Sequence, residues 1–249
     1  MLNIVIPMAG AGSRFFNAGY KLPKPLIEIH GCPMIKVVVD NLKPNQSHRF
    51  IFICQKSHAT KYSLREKLNS ISKNSIIIEI DNLTDGAACT VLMAKEYINN
   101  SDPLMIANSD QFVDLDINLY LSRLAFSDLD GLIMTMSAND PKWSYVGLNE
   151  QNFVSRVVEK EVISPNATIG IYNFRRGQDF VFAAEEMISK NLRVKNEFYV
   201  APAYNILINQ GYRVGIFNAG SEKQGVYGLG TPEDLDFFLN NKASSFLVT

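Results

Sequence analysis

The stretch PMAGAGSRFFNAGYKLPKPL, residues 7–26, gathers residue types suited to holding phosphate. Gly10 and Gly12 follow an apolar run, where glycines let successive backbone N–H groups point into one concavity, and such nests bind oxyanions. Arg14 adds a planar fork matched to phosphate, and Lys24 adds a point charge on a backbone stiffened by Pro23 and Pro25. Neither standard phosphate-loop pattern applies. The dinucleotide fingerprint needs a glycine where Phe15 stands, and the ATPase loop needs Gly-Lys-Ser/Thr. A tight turn with solvated cations is the plain alternative, but two cations in one glycine loop favour phosphate.

Other chemistry is sparse. His30, His48 and His58 lie outside the candidate motifs, and no Ser-His-Asp or Cys-His arrangement argues for covalent catalysis. Asp110 ends the apolar strand that PLMIAN begins, where a carboxylate at a strand end faces the crevice of an open sheet. Cys32, Cys54 and Cys89 are far apart in apolar sequence, which fits reduced core thiols better than a disulfide frame or a zinc site. The chain has 249 residues, 47% hydrophobic and 20% charged, with a net charge of −1, so anion binding must come from locally placed cations. That balance predicts no nucleic-acid partner. With no basic-plus-apolar leader and no run of eighteen apolar residues, it predicts a cytoplasmic protein without a membrane partner.

The elements that must position these residues alternate. LNIVIP (2–7), FIFIC (50–54), SIIIEI (75–80), PLMIAN (103–108) and GLIMTMS (131–137) are short apolar runs of the kind buried on both faces of a sheet. Helical spacing occupies 32–42, 59–71 and 86–98 between them. The fold class is therefore α/β, a Rossmann-like, doubly wound, mainly parallel sheet. After residue 138, WSYVGLNE, NFVSRVVEK and ATIGIYNF read as strands without intervening helices, an antiparallel insertion that could close over a ligand, followed by helices near 178–190 and 199–209. YRVGIF returns to the core, and Thr231 and Pro232 mark the N-cap and first turn of a last helix. One domain results, 1–249, with a core of about 1–137 and 212–249 and a lobe of about 138–211.

G-x-G-S-R-F followed by P-K-P-L resembles the signature of the sugar-phosphate nucleotidyltransferases, the pyrophosphorylases that make nucleotide sugars. The chain is similar to glucose-1-phosphate thymidylyltransferase-like and capsule-associated guanylyl- and cytidylyltransferase proteins. LTDGAACTVLMA (83–94), IANSDQF (106–112), VVEKE (157–161), ATIGIYNF (167–174) and GLGTPEDL (228–235) extend the likeness in order over most of the chain. The resemblance implies transfer of a nucleoside monophosphate from a triphosphate to a phosphorylated small molecule, with pyrophosphate leaving. It places Ala9, Gly10, Ala11, Gly12 and Ser13 around the nucleotide, Arg14 on the leaving phosphates and Lys24 on the α-phosphate. Asp85 and Gly86 fall at the base-recognition segment, with a helix N-cap as the compatible alternative. Asp110 would hold Mg²⁺, Glu159 and Lys160 would meet the acceptor, and Asn108, Gly147 and Gly170 would line its pocket.

Three departures stand out. Gly228 occupies the place of a second metal carboxylate, with Glu222 a candidate substitute, and Trp143 stands where many relatives have a plain Tyr-Gly strand. Cys89 and Thr90 replace the Gln-Ala pair of thymidylyl relatives. A nucleotide sugar for surface polysaccharide is the leading product, and a cytidylyltransferase acting on a non-sugar phosphate is the alternative. A nucleotide-sugar-dependent glycosyltransferase would want an Asp-x-Asp pair; DLD occurs at 114–116 and 128–130, away from the strand end that carries Asp110. An inactive regulatory homologue has Gly228 as its sole support. Base, acceptor and the existence of a homo-oligomer stay open.

Overall fold

The computed structural model describes residues 1–247. Its strands are β1 (Leu2–Pro7), β2 (Glu28–Ile29), β3 (Cys32–Pro33), β4 (His48–Gln55), β5 (Ile76–Ile80), β6 (Leu104–Ala107), β7 (Gln111–Val113), β8 (Gly131–Ser137), β9 (Ser144–Leu148), β10 (Val154–Glu159), β11 (Asn166–Phe174), β12 (Val214–Glu222) and β13 (Gly225–Gly228). Its helices are α1 (Ser13–Asn17), α2 (Met34–Leu42), α3 (Lys56–Tyr62), α4 (Leu64–Ile71), α5 (Ala87–Leu92), α6 (Lys95–Ile98), α7 (Ile117–Ala125), α8 (Gly177–Ser189), α9 (Ala203–Ile208) and α10 (Pro232–Leu239).

Eleven strands form one sheet in the order β5-β4-β1-β6-β11-β8-β12-β13-β7, with β9 pairing β11 and β10 pairing β9. β5, β4, β1 and β6 run parallel, as the buried apolar runs require. Alternation along them fills two cores, one on each face. Ile4, Ile6, Phe50 and Phe52 join one cluster, while Val5, Ile51 and Ile53 join the other. Cys54 sits in the first of these, free and buried, with burial pushing its thiol up to about 11.

β11 departs from the expected pattern. Its second half lies in the middle of the main sheet, antiparallel to β6 and to β8, and its first half alone reaches β9. The reading of 167–174 as a lobe strand therefore accounts for one half of it. Because β11 runs backwards, its start emerges at the carboxyl end of β6, where ligands of open α/β sheets bind. The segment read as one helix over 59–71 is two, split at Ser63, whose φ is 49°. Buried Ala59 and Leu64 are five residues apart, about 140° around a continuous helix, and the left-handed break brings both to the core. Residues 86–98 likewise divide into α5 and α6, and 199–209 yields a helix only from Ala203.

Short elements carried too little periodicity to be read: α1, β2, β3, β7 and β13 have five residues or fewer. The last helix starts as its sequence dictates. Thr231 Oγ1 accepts the Asp234 N–H at 3.1 Å and donates to its carboxylate at 3.0 Å, with Pro232 in the first turn. The two DLD segments are structural, since Asp116 caps α7 through the Asn118 N–H and Asp130 accepts the Arg213 N–H. No helix among the described residues is long and apolar enough to cross a membrane.

Candidate active site

The glycine loop leaves the carboxyl end of β1, and its backbone is turned inside out. Gln55 Nε2 donates to the carbonyls of Ala9 and Gly10, at 2.8 and 3.3 Å, while the N–H groups of Gly10, Ala11 and Gly12 donate to nothing in the described chain. Donors that face outward without partners are the physical content of an anion nest. Gly12, at φ 63°, supplies the left-handed step from which α1 begins, and Phe15, 1% exposed, anchors that turn in the core. Pro23 caps a single turn of 3-10 helix, Lys24–Leu26, whose buried Pro25 and Leu26 fix where Lys24 projects.

Lys24 Nζ meets Asp110 Oδ2 at 2.9 Å, the two side chains 25% and 22% exposed. Asp110 sits just past β6, and the C-terminal segment closes against it: its carbonyl accepts the Leu229 N–H at 2.8 Å, and β13 pairs β7 with Gly228 opposite Gln111. Gly230 leaves the space that its carboxylate uses, since a Cβ there would stand 2.5 Å from Oδ2. Gly12, Ser13, Arg14, Lys24, Asp110 and Gly230 thus line one open cavity of about 220 Å³. One carboxylate facing open space suits Mg²⁺, which keeps several waters and shares phosphate oxygens. No cluster of three metal-binding side chains exists among the described residues. Glu222 is held by Lys142 at 2.6 Å, so the carboxylate beside Gly228 is that of Asp234, whose Oδ2 would lie 3.4 Å from a Cβ at that position.

A second cavity, about 470 Å³, adjoins the first along Lys24. Met8, Ala9, Gly10 and Ala11 form one wall, and Leu83–Ala87 with Thr90 form the other. Hydroxyls hold that second wall in shape: Thr84 Oγ1 and Thr90 Oγ1 lie 2.6 Å apart, one donating to the other, and the remaining hydroxyl proton is within reach of the Gly86 carbonyl. Gly86 itself, at φ 131°, packs flat on residue 198, where a Cβ would stand 2.5 Å from the Phe198 carbonyl oxygen and 2.6 Å from its nitrogen. Asp85 does not cap α5. Its carboxylate turns to Arg193 at 3.1 Å and its carbonyl accepts the Phe198 N–H, because the following glycine starts the helix with backbone alone.

The third cavity, about 300 Å³, brings together Arg14, Asn108, Gln111, Lys142, Trp143, Ser144, Glu159, Lys160, Thr168, Gly170, Tyr172 and Tyr199. A bulge in β11 between Thr168 and Tyr172 puts Gly170 at φ 82°, and a Cβ there would collide with the Asn108 amide and with Gln111 Oε1. Gln111 is buried, and that oxygen has no partner among the described residues. Lys160 Nζ stands 5.2 Å over the Tyr199 ring. Burial, with the charge of Glu197 second, pushes the Tyr199 hydroxyl up to about 12. Gly147 is not among the lining residues; it pairs with Arg156 across β9 and β10, and the Arg156 and Ile163 side chains cover it.

Burial raises the Glu159 carboxyl above the ordinary range, against a hydrogen bond from Ser144 and the charge of Lys160, which lower it. A carboxyl raised on folding costs nothing below its unfolded pKa and destabilises increasingly as pH climbs through the folded value. Glu159→Gln is therefore expected to match wild type near pH 4 and to melt about 1–3 °C higher at pH 8. Thermal denaturation at both pH values checks this, and a gap that does not change with pH would refute it.

The three cavities meet through shared walls. Lys24 belongs to the first and second, Arg14 to the first and third, and Ala87 to the second and third. The sequence profile of the nucleotidyl transferase family matches residues 4–211. The chain belongs to that family. It is similar to the bifunctional protein GlmU of Methanococcus aeolicus, 24% identical over 178 residues, which cover 70% of this chain and 40% of that one. The GlmU of Aquifex aeolicus is 25% identical over 94% of this chain and 52% of its own length. The chain spans about half the length of the curated relatives it matches. Among solved structures, the nucleoside-diphosphate-sugar pyrophosphorylase of Vibrio cholerae RC9 superposes with a TM-score of 0.80 at 29% identity, covering 96% of this chain and 100% of that one. The inositol-1-phosphate CTP transferase of T. maritima shares the fold, with a TM-score of 0.76 at 17% identity, covering 98% and 94%.

Within this site the sequence reading missed several lining residues. Thr168 and Tyr172 flank Gly170 with period two, the spacing that puts strand residues on one face, so extending the β11 reading by alternation would have found both. Gln111, Lys142 and Ser144 neighbour residues already singled out. Asn196 and Glu197 in the second cavity, and Tyr199 in the third, come from an irregular segment with left-handed Asn191, Lys195 and Asn196. No periodic signal marks such a stretch.

Proposed function

We propose that this chain transfers a nucleoside monophosphate from a nucleoside triphosphate to a phosphorylated acceptor, with release of pyrophosphate. The observation that carries the reading is the junction of three cavities at Lys24, Arg14 and Ala87. Nucleoside fits the cavity between the glycine loop and residues 83–90, its phosphates fit the nest with Arg14 and Lys24, and the acceptor fits the third cavity with its phosphate on Lys160. An acceptor phosphate oxygen then attacks the α-phosphorus in line while the bond to pyrophosphate breaks. That nucleophile is already ionised near neutral pH, so no general base is required, and positioning with charge stabilisation suffices. Lys24 stabilises charge developing at the α-phosphate and Arg14 that of the leaving group. Asp110 would hold Mg²⁺, which when bound neutralises triphosphate charge.

A sugar 1-phosphate is the acceptor this reading favours, giving a nucleotide sugar for surface polysaccharide in the cytoplasm. Its support is a cavity that combines Lys160, placed for the acceptor's phosphate, with Glu159, Gln111 and Thr168, groups suited to hydroxyls. The test measures pyrophosphate release from each of the four ribonucleoside triphosphates and thymidine triphosphate, with Mg²⁺, against sugar 1-phosphates and non-sugar phosphomonoesters. Release with a sugar 1-phosphate is expected. Release with non-sugar acceptors alone would overturn the nucleotide-sugar reading, and no release with any pair would overturn the enzyme reading.

A further inference from the structure

A fourth cavity, about 350 Å³, lies on the outer side of the glycine loop and plays no part in the reaction proposed above. It shares Gly10, Ala11 and Lys24 with the nucleoside cavity, and Gly12 and Lys24 with the phosphate cavity. Its far wall is Ser57, His58, Lys61 and Tyr62 of α3, and its rim is the segment around Lys21. Three lysines and a histidine line it, and no carboxylate does. That imbalance is local, since the whole chain carries 24 Lys and Arg against 25 Asp and Glu. Lys24 is paired with Asp110, but Lys21 and Lys61 make no ion pair among the described residues. The nearest charge-related contact of Lys61 is the ring of Tyr62, 5.2 Å from its Nζ.

The wall is built rather than loose. Phe15 and Tyr20 meet edge to face with centroids 5.0 Å apart, and Tyr62 donates its hydroxyl to the Lys21 carbonyl at 3.4 Å, tying the rim to α3. His58 meets Tyr62 edge-on with centroids 6.3 Å apart, and burial, with the Lys61 charge second, depresses its imidazole. Backbone donors without partners at Gly10, Ala11 and Gly12 separate this trough from the phosphate cavity.

We infer that the trough of Lys21, Lys61 and His58 is a second phosphate site, which takes pyrophosphate as it leaves the reaction cavity around Lys24. The identity of the anion rests on the reaction proposed above; the anion site rests on the trough itself. Uncompensated lysines that share a wall with the leaving-group cavity give the product a downhill place to move, so that it clears the α-phosphate position without first entering water.

Calorimetric titration of the full chain with inorganic pyrophosphate tests this without any turnover. Wild type is expected to show two sites per chain. Lys21→Ala/Lys61→Ala should weaken one of them about tenfold, the effect of removing charge-assisted contacts, and leave nucleoside triphosphate affinity within about twofold. Lys21→Arg/Lys61→Arg should restore the second site, and a thermal midpoint equal to wild type certifies that the double variant is folded. A single pyrophosphate site of equal affinity in wild type and the alanine variant overturns the inference. So does a loss that falls on triphosphate affinity instead, which would make the trough part of the substrate site. Absence of pyrophosphate release in the transfer assay strikes the proposed reaction and leaves this titration to be read on its own.

Discussion

Lys24→Ala is expected to lower turnover by about 10²–10³, the cost of removing one preorganised charge from a developing oxyanion. The fold should barely register the loss. Lys24 and Asp110 form an ion pair whose members are each about one quarter exposed, and such a pair stabilises by under about 1 kcal/mol once solvent screening is included. The position of the side chain is set by its buried neighbours Pro25 and Leu26, which the substitution leaves in place. Rate and stability should therefore separate, with kcat falling steeply and the thermal midpoint moving by no more than about 2 °C. Steady-state kinetics alongside thermal denaturation reads both, and a kcat within threefold of wild type would remove Lys24 from the reacting centre. Lys24→Arg should recover little of the rate, because a longer planar fork cannot take the compact ammonium's place between two prolines.

Gly86→Ala should do the opposite and damage the fold and the nucleotide site together. The added methyl would stand 2.5 Å from the Phe198 carbonyl oxygen and 2.6 Å from its nitrogen, and both are backbone atoms that cannot rotate away. Those atoms also carry two hydrogen bonds, Phe198 N–H to the Asp85 carbonyl and Ala88 N–H to the Phe198 carbonyl, so neither can retreat without breaking one. The φ of 131° adds strain for any residue with a Cβ. Overpacking and backbone strain together come to about 2–5 kcal/mol. A loss of that size in chemical denaturation is the expected result, accompanied by weaker triphosphate binding; a variant as stable as wild type would show that the close approach of the two segments is not tightly held.

The sequence and the structure agree where physics acts locally. Buried strands announced themselves because β1, β4, β6 and β8 are apolar on both faces, whereas β5, expected to be the same, is the sheet edge, carries Glu79 and fully buries only Ile80. Thr231 announced α10 because a hydroxyl before Pro and two acids can do little else. The glycine loop, Lys24 and Asp110 were legible as a chemical set, since few folds place cations beside unpaired backbone donors without an anion to hold. Long-range placement was not legible. Nothing in ATIGIYNF says that its second half will insert antiparallel between β6 and β8, a choice made by what the rest of the sheet leaves open. The same holds for Asp85, where a capping pattern lost its side chain to Arg193, more than a hundred residues away.

Residues 196–200 touch the nucleoside cavity through Asn196 and Glu197 and the acceptor cavity through Tyr199 and Val200, while the backbone of Phe198 between them is clasped to Asp85 and Ala88. If the proposed reaction holds, this one stretch of five residues takes part in choosing both substrates. An engineer who retunes the acceptor by editing this stretch should find the nucleotide preference drifting with it, and a lineage that changes its sugar would have to renegotiate its base in the same mutations.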